Sequence, residues 1–148
     1  MVYNLGWVIF FIIAWLTALI LVPIEEWYSL WPSGLIGMSI IYIIDTALIT
    51  LGAFKYSFGN KVLGDIPVFY WLSSFPGGVL LVYYYTVIDR WLHFPYILLA
   101  SAIFLAMEYI MIKLGYFHHL KWKISKSFVL NIIGFSVVIS LVQWFGVI

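Results

Sequence analysis

The strongest constraint on this chain is the length of its apolar runs. From Leu5 to Val22 it reads LGWVIFFIIAWLTALILV without a charged residue, closing at Pro23. Crossing the hydrocarbon of a bilayer takes roughly 20 apolar residues in a helix. Such a segment meets no water and must satisfy its own backbone groups. Four more runs of this kind follow, at about residues 34–54, 67–88, 95–114 and 127–147. Polar residues are too scarce to cover a water-facing surface: 9% of the chain is charged, against about a quarter in soluble domains. The predicted fold is all-α, an integral membrane helical bundle of about five transmembrane helices in one domain, residues 1–148. The first run has no basic flank and no small-residue cleavage site, so it reads as a retained helix.

The connections are short. PIEEWYSLWPSG reads as an interfacial turn, with Trp27, Tyr28 and Trp31 at headgroup depth. KYSFGNKVLGD is hydrophilic, with Gly59, Asn60 and Gly64 as turn formers. In the third run, SSFPGG predicts a kink at Pro76, which lacks an amide donor. GYFHHLKWKISK is a basic loop suited to anionic headgroups. No internal repeat stands out. If the runs alternate across the membrane, one side holds Lys55, Lys61, Lys113, Lys121, Lys123 and Lys126, and the other only Arg90. The positive-inside rule then predicts a plasma-membrane protein with its N-terminus cytoplasmic and its C-terminus outside.

Several functions are disfavoured. A net charge of +1 does not suit nucleic acid. With no cysteine, thiolate metal sites and cysteine nucleophiles are excluded. His93, His118, His119 and the six acids match no metal-ligand spacing, and no cofactor is implied.

The informative residues are the acids inside the apolar runs. Asp45 stands near the centre of the second run and Glu108 deep in the fourth. An Asp at a helix centre costs roughly 2.5–3.5 kcal/mol on insertion scales, so such a group is protonated, paired or reached by water. A hydrogen-bonded structural Asp45 and a proton-relay or cation-binding Asp45 are both open. The candidate polar intramembrane site is Asp45 and Glu108, with Pro76 at the break, Tyr84 from the run Tyr83–Tyr85 as a hydroxyl partner, and Asn131 from the fifth run. For FPGG, close helix packing is the favoured explanation over a ligand-binding broken helix, because transporters show such breaks in paired halves and five spans offer no such pairing.

The stretches IIDTALITLGAFKYSFG, FYWLSSFPGGVLLVYYY and FLAMEYIMIKLGYFHHLKWKISKS resemble a family of small, uncharacterised multi-pass membrane proteins of spore-forming Firmicutes, the bacilli and clostridia. The matching positions are Asp45, Tyr56, Pro76, Glu108, Tyr109, Gly115 and Trp122, within residues 38–126. The family pattern has Tyr-Pro where this chain has Phe75 before Pro76. The resemblance implies a helical membrane fold in a bacterial plasma membrane and carries no activity.

Three functions compete. The favoured one is a non-enzymatic bundle in contact with the lipid bilayer that self-associates as a homo-oligomer or joins a larger membrane complex. The alternative is a small transporter or channel with Asp45 and Glu108 lining a polar cavity. A lipid-modifying enzyme pairing Glu108 with His118 or His119 ranks last. His118 lies ten residues beyond Glu108, about 15 Å along a continuous helix.

Overall fold

The computed structural model describes residues 5–148, save the side chains of residues 62 and 63. Among these are five α-helices: α1 (Leu5–Leu21), α2 (Ile24–Thr50), α3 (Val68–Val87), α4 (His93–Lys113) and α5 (Ile124–Trp144). Four short strands interrupt them: β1 (Phe54–Tyr56), β2 (Lys61–Leu63), β3 (Ile66–Pro67) and β4 (Phe117–His119). Three helical segments are long and apolar enough to cross a membrane: α2, α4 with the turn before it (Arg90–Lys113), and α5.

The second helix differs from expectation. PIEEWYSLWPSG is no turn: α2 starts at Ile24 and runs through Pro32 to Thr50. Pro23 precedes the first turn and Glu25 and Glu26 lie in it, where carboxylates offset the positive end of the helix dipole. Asp45 is therefore not central. It lies five residues, about 7.5 Å, from the C-terminal end of a 27-residue helix. In α3 Pro76 lies within the helix, with its side chain fully buried.

Helix α3 packs against both α1 and α2, α2 packs on α5, and α5 on α4. The α2–α3 crossing is set by small residues. A Cβ on Gly78 would stand 2.5 Å from the Ser33 carbonyl oxygen and 3.2 Å from Gly34 Cα, so the two backbones touch there. This gives Gly78 a packing role, while Gly77 faces open space. Two apolar cores fill the bundle. Val22, Leu30, Val79, Val82 and Val142 form one, and Trp7, Phe54, Tyr56, Tyr70, Met111 and Phe117 the other.

Helices α2 and α4 end in the same way. Gly52 (φ 73°) and Gly115 (φ 81°) adopt the left-handed conformation. Each donates its N–H to a carbonyl three residues back, and the next residue donates to one five back, which is the Schellman turn. Each turn reverses the chain into a strand, and β1 and β4 pair antiparallel: Phe54 opposite His119, Lys55 opposite His118, Tyr56 opposite Phe117. The ribbon ties the α2–α3 and α4–α5 connections to one end of the bundle.

That likeness extends along the chain, contrary to the expectation of no repeat. The α2 end Thr50 corresponds to the α4 end Lys113, Phe54 to Phe117 and Tyr56 to His119, each 63 positions apart. At the same offset stand Pro32 and Pro95, Asp45 and Glu108, Leu51 and Leu114, and Gly52 and Gly115. Trp7 of α1 corresponds to Tyr70 of α3. The helix–helix–strand unit α1–α2–β1 is thus repeated as α3–α4–β4, followed by α5. The far ends differ, since α4 begins six positions later than the counterpart of Ile24. α4 does not pack on α1 as α2 packs on α3; it packs on α5, which in turn packs on α2. Residue identity at this offset is concentrated in ITLGAF and IKLGYF, and in so apolar a chain that leaves little signal.

Candidate functional site: a carboxylate chamber beneath the ribbon

The ribbon is two-faced because strand residues alternate sides. Phe54, Tyr56, Phe117 and His119 point into the bundle, and Lys55 is exposed on the outer face, opposite His118. The inner face roofs a cavity of about 60 Å³, room for a few waters at the roughly 10–15 Å³ each requires. Half of its lining residues are aromatic, among them Trp7, Phe54, Tyr56, Tyr70, Phe104 and Phe117. Its polar groups are Asp45, Glu108, Ser127 and Asn131, besides the tyrosine hydroxyls.

Two hydrogen-bonded arms reach this cavity. Tyr56 donates its hydroxyl to Asp45 Oδ2 at 2.6 Å, and Asp45 is only 7% exposed. Burial foremost, then the adjacent Asp45 carboxyl, push the Tyr56 pKa well above its ordinary value, so the phenol remains a donor. In the other arm His119 Nε2 lies 2.7 Å from Glu108 Oε1, with the two side chains 16% and 12% exposed. Ser127 donates to the same oxygen at 2.7 Å and accepts from Trp122 Nε1 at 2.8 Å. Trp7 pins α1 beneath the ribbon by donating Nε1 to the carbonyls of Ser57 and Phe58, both at 3.1 Å.

Of the five residues singled out from sequence, Asp45, Glu108 and Asn131 line the cavity together, and Asn131 also donates to the Ser101 carbonyl at 3.5 Å. Pro76 and Tyr84 are not among its lining residues. Tyr84 sits fourteen residues along α3 from Tyr70, with its ring against Tyr83 at 5.3 Å. Tyr56, not a member of the tyrosine run, holds Asp45. His119 is likewise not in a hydrated loop. The reversal at Gly115 folds it back onto α4, so the continuous-helix argument that set His118 about 15 Å from Glu108 does not apply to this loop. A signal for both partners was present in sequence. Tyr56 follows Asp45, and His119 follows Glu108, by the same eleven residues.

Among the described residues no three His, Cys, Asp or Glu side chains are grouped so as to hold a metal ion. The fold and site define a class: an α-helical bundle with helices long and apolar enough to cross a membrane, closed at one end over a chamber holding two carboxylates. No protein-family model, curated protein or solved structure matches the chain.

Proposed function

We propose that this chain is a five-crossing protein of the bacterial plasma membrane whose carboxylate chamber takes up and releases protons, acting as a small transporter or channel. On this reading α1 and α3 complete the crossings and α3 bends at Pro76. The ribbon end faces the cytoplasm and the C-terminus lies outside. The lysine-rich ends of the connections support that orientation, and the resemblance to small membrane proteins of spore-forming Firmicutes agrees with the location.

One observation carries the reading: Asp45 and Glu108, from different helices, line a single cavity. Ionisable groups inside membrane segments are costly to insert and characteristically mark ion and proton pathways. The repeated helix–helix–strand unit adds support, because transporters are commonly built from such internal repeats with the site between them. A second reading, an accessory or self-associating bundle, is favoured by the internal partners that Tyr56, His119 and Ser127 supply to the carboxylates.

Proteoliposomes loaded with a pH-sensitive dye separate the two. Under an imposed pH gradient the transport reading expects proton uptake that Asp45→Asn or Glu108→Gln reduces at least tenfold while the chain stays folded. Uptake equal to that of empty liposomes would leave the accessory reading.

A further inference from the structure

The duplication has a chemical consequence at the chamber. The ladder pairs Phe54 with His119 and Tyr56 with Phe117 about the central pair Lys55 and His118. Residues 63 positions apart thereby exchange places about a local two-fold axis through the ribbon. The axis brings together the two arms, Asp45–Tyr56 and Glu108–His119, each an acid on the last turns of a helix bonded by the residue eleven positions later. The copies differ in what faces the acid. The first presents a phenol and the second an imidazole, the one side chain that ordinarily changes charge between pH 5 and 8.

We infer that the two arms are counterparts of one duplicated acid–partner unit that have diverged: in the Glu108–His119 arm both partners can exchange a proton, whereas in the Asp45–Tyr56 arm only the carboxyl can. This deepens the transport reading but stands on equilibrium proton binding and so can be tested without flux. Among the described residues, the charged group bonded to His119 is Glu108 of α4. Glu108 also lines the cavity, which His119 itself does not, and there the other titratable groups are Asp45 from α2, Tyr56 from β1 and Tyr70 from α3. Ser127 from α5 is a hydroxyl already bonded to Glu108. Lys55 and His118 belong to the opposite face of the ribbon. Protonation on either His119 or Glu108 leaves a hydrogen bond between them, so the arm can take up a proton without breaking its geometry.

The test counts protons bound by the full chain in detergent when pH is stepped from about 8 to about 5, across the imidazole range. Three variants decide it. His119→Gln keeps an amide donor at the position of Nε2 but cannot ionise, and is expected to bind about one proton fewer than the parent chain. Tyr56→Phe removes no group that ionises in this range and is expected to bind more protons than His119→Gln. The exchanged pair Tyr56→His with His119→Tyr is expected to recover the missing proton, now dependent on Asp45 instead of Glu108. A His119→Gln count equal to the parent would overturn the inference, as would an exchanged pair that folds and recovers nothing. If the exchanged pair fails to fold, as judged by size-exclusion and circular dichroism, the His119→Gln and Tyr56→Phe counts decide alone. A proton step that tracks His119 in a chain that passes no protons across liposomes would remove the transport reading and leave this assignment in place.

Discussion

Adjacent glycines in α3 offer a controlled test of the α2–α3 crossing. Gly77 and Gly78 occupy the same helix interior, so replacing either with Ala gains the same intrinsic helix propensity, about 0.5–1 kcal/mol. Their surroundings differ. A Cβ at Gly77 meets nothing within 4 Å, whereas one at Gly78 falls 2.5 Å from the Ser33 carbonyl and 3.2 Å from Gly34 Cα. Both obstacles are backbone atoms, so no rotamer change relieves them, and the helices must separate. Overpacking of this kind costs about 1–3 kcal/mol. The propensity gain cancels in the comparison, so the two variants are expected to differ by about 1–3 kcal/mol, with Gly77→Ala neutral to stabilising and Gly78→Ala destabilised. Reversible unfolding in mixed micelles of mild detergent and dodecyl sulfate, followed by circular dichroism, measures that difference. Variants of equal stability, within about 0.5 kcal/mol, would refute the close approach of α2 and α3.

Three further substitutions probe the chamber and its roof. Tyr56→Phe removes the donor to a buried carboxyl and is expected to cost about 1–3 kcal/mol in the same unfolding assay. Ser127→Ala strips one donor from Glu108 and leaves Trp122 Nε1 without its acceptor, for a loss of similar size, about 1–3 kcal/mol, which Ser127→Thr is expected largely to restore. Gly115→Ala places a side chain at φ 81° with no neighbour within 4 Å, so its cost of about 1–2 kcal/mol is purely conformational. Gly115→Asn, a residue that tolerates this conformation, is expected to lose less, and equal losses would argue against the left-handed turn.

Much of this architecture is legible in the sequence because apolar length is a direct physical requirement of the bilayer. The runs over residues 67–88, 95–114 and 127–147 correspond to α3, α4 and α5 within a few residues. The start of α2 is missed for a specific reason. Trp27, Tyr28, Trp31 and Pro32 suggest an interfacial turn, yet Pro23 followed by Glu25 and Glu26 is also a helix-start signal. The acids themselves are conspicuous, since Asp45 and Glu108 stand out in apolar runs. Their partners are not. Tyr56 and His119 act from three-residue strands too short for a periodic pattern, and both depend on a reversal at a single glycine. His119 illustrates the difficulty, because a loop drawn as extended cannot return its side chain to Glu108. The duplication is hidden for a related reason: where most residues are apolar, apolar coincidences carry no weight, and only Asp45/Glu108, Pro32/Pro95 and the Leu-Gly-X-Phe turns remain.

The absence of native cysteine makes one measurement especially direct. With Asp45→Cys and Glu108→Cys introduced together, the only two thiols in the chain line the same small cavity. A short bifunctional thiol reagent is expected to join them within one chain in high yield, and a lipid-soluble maleimide to label them slowly. Rapid labelling from the lipid phase, with cross-links forming only between chains or not at all, would contradict a shared chamber.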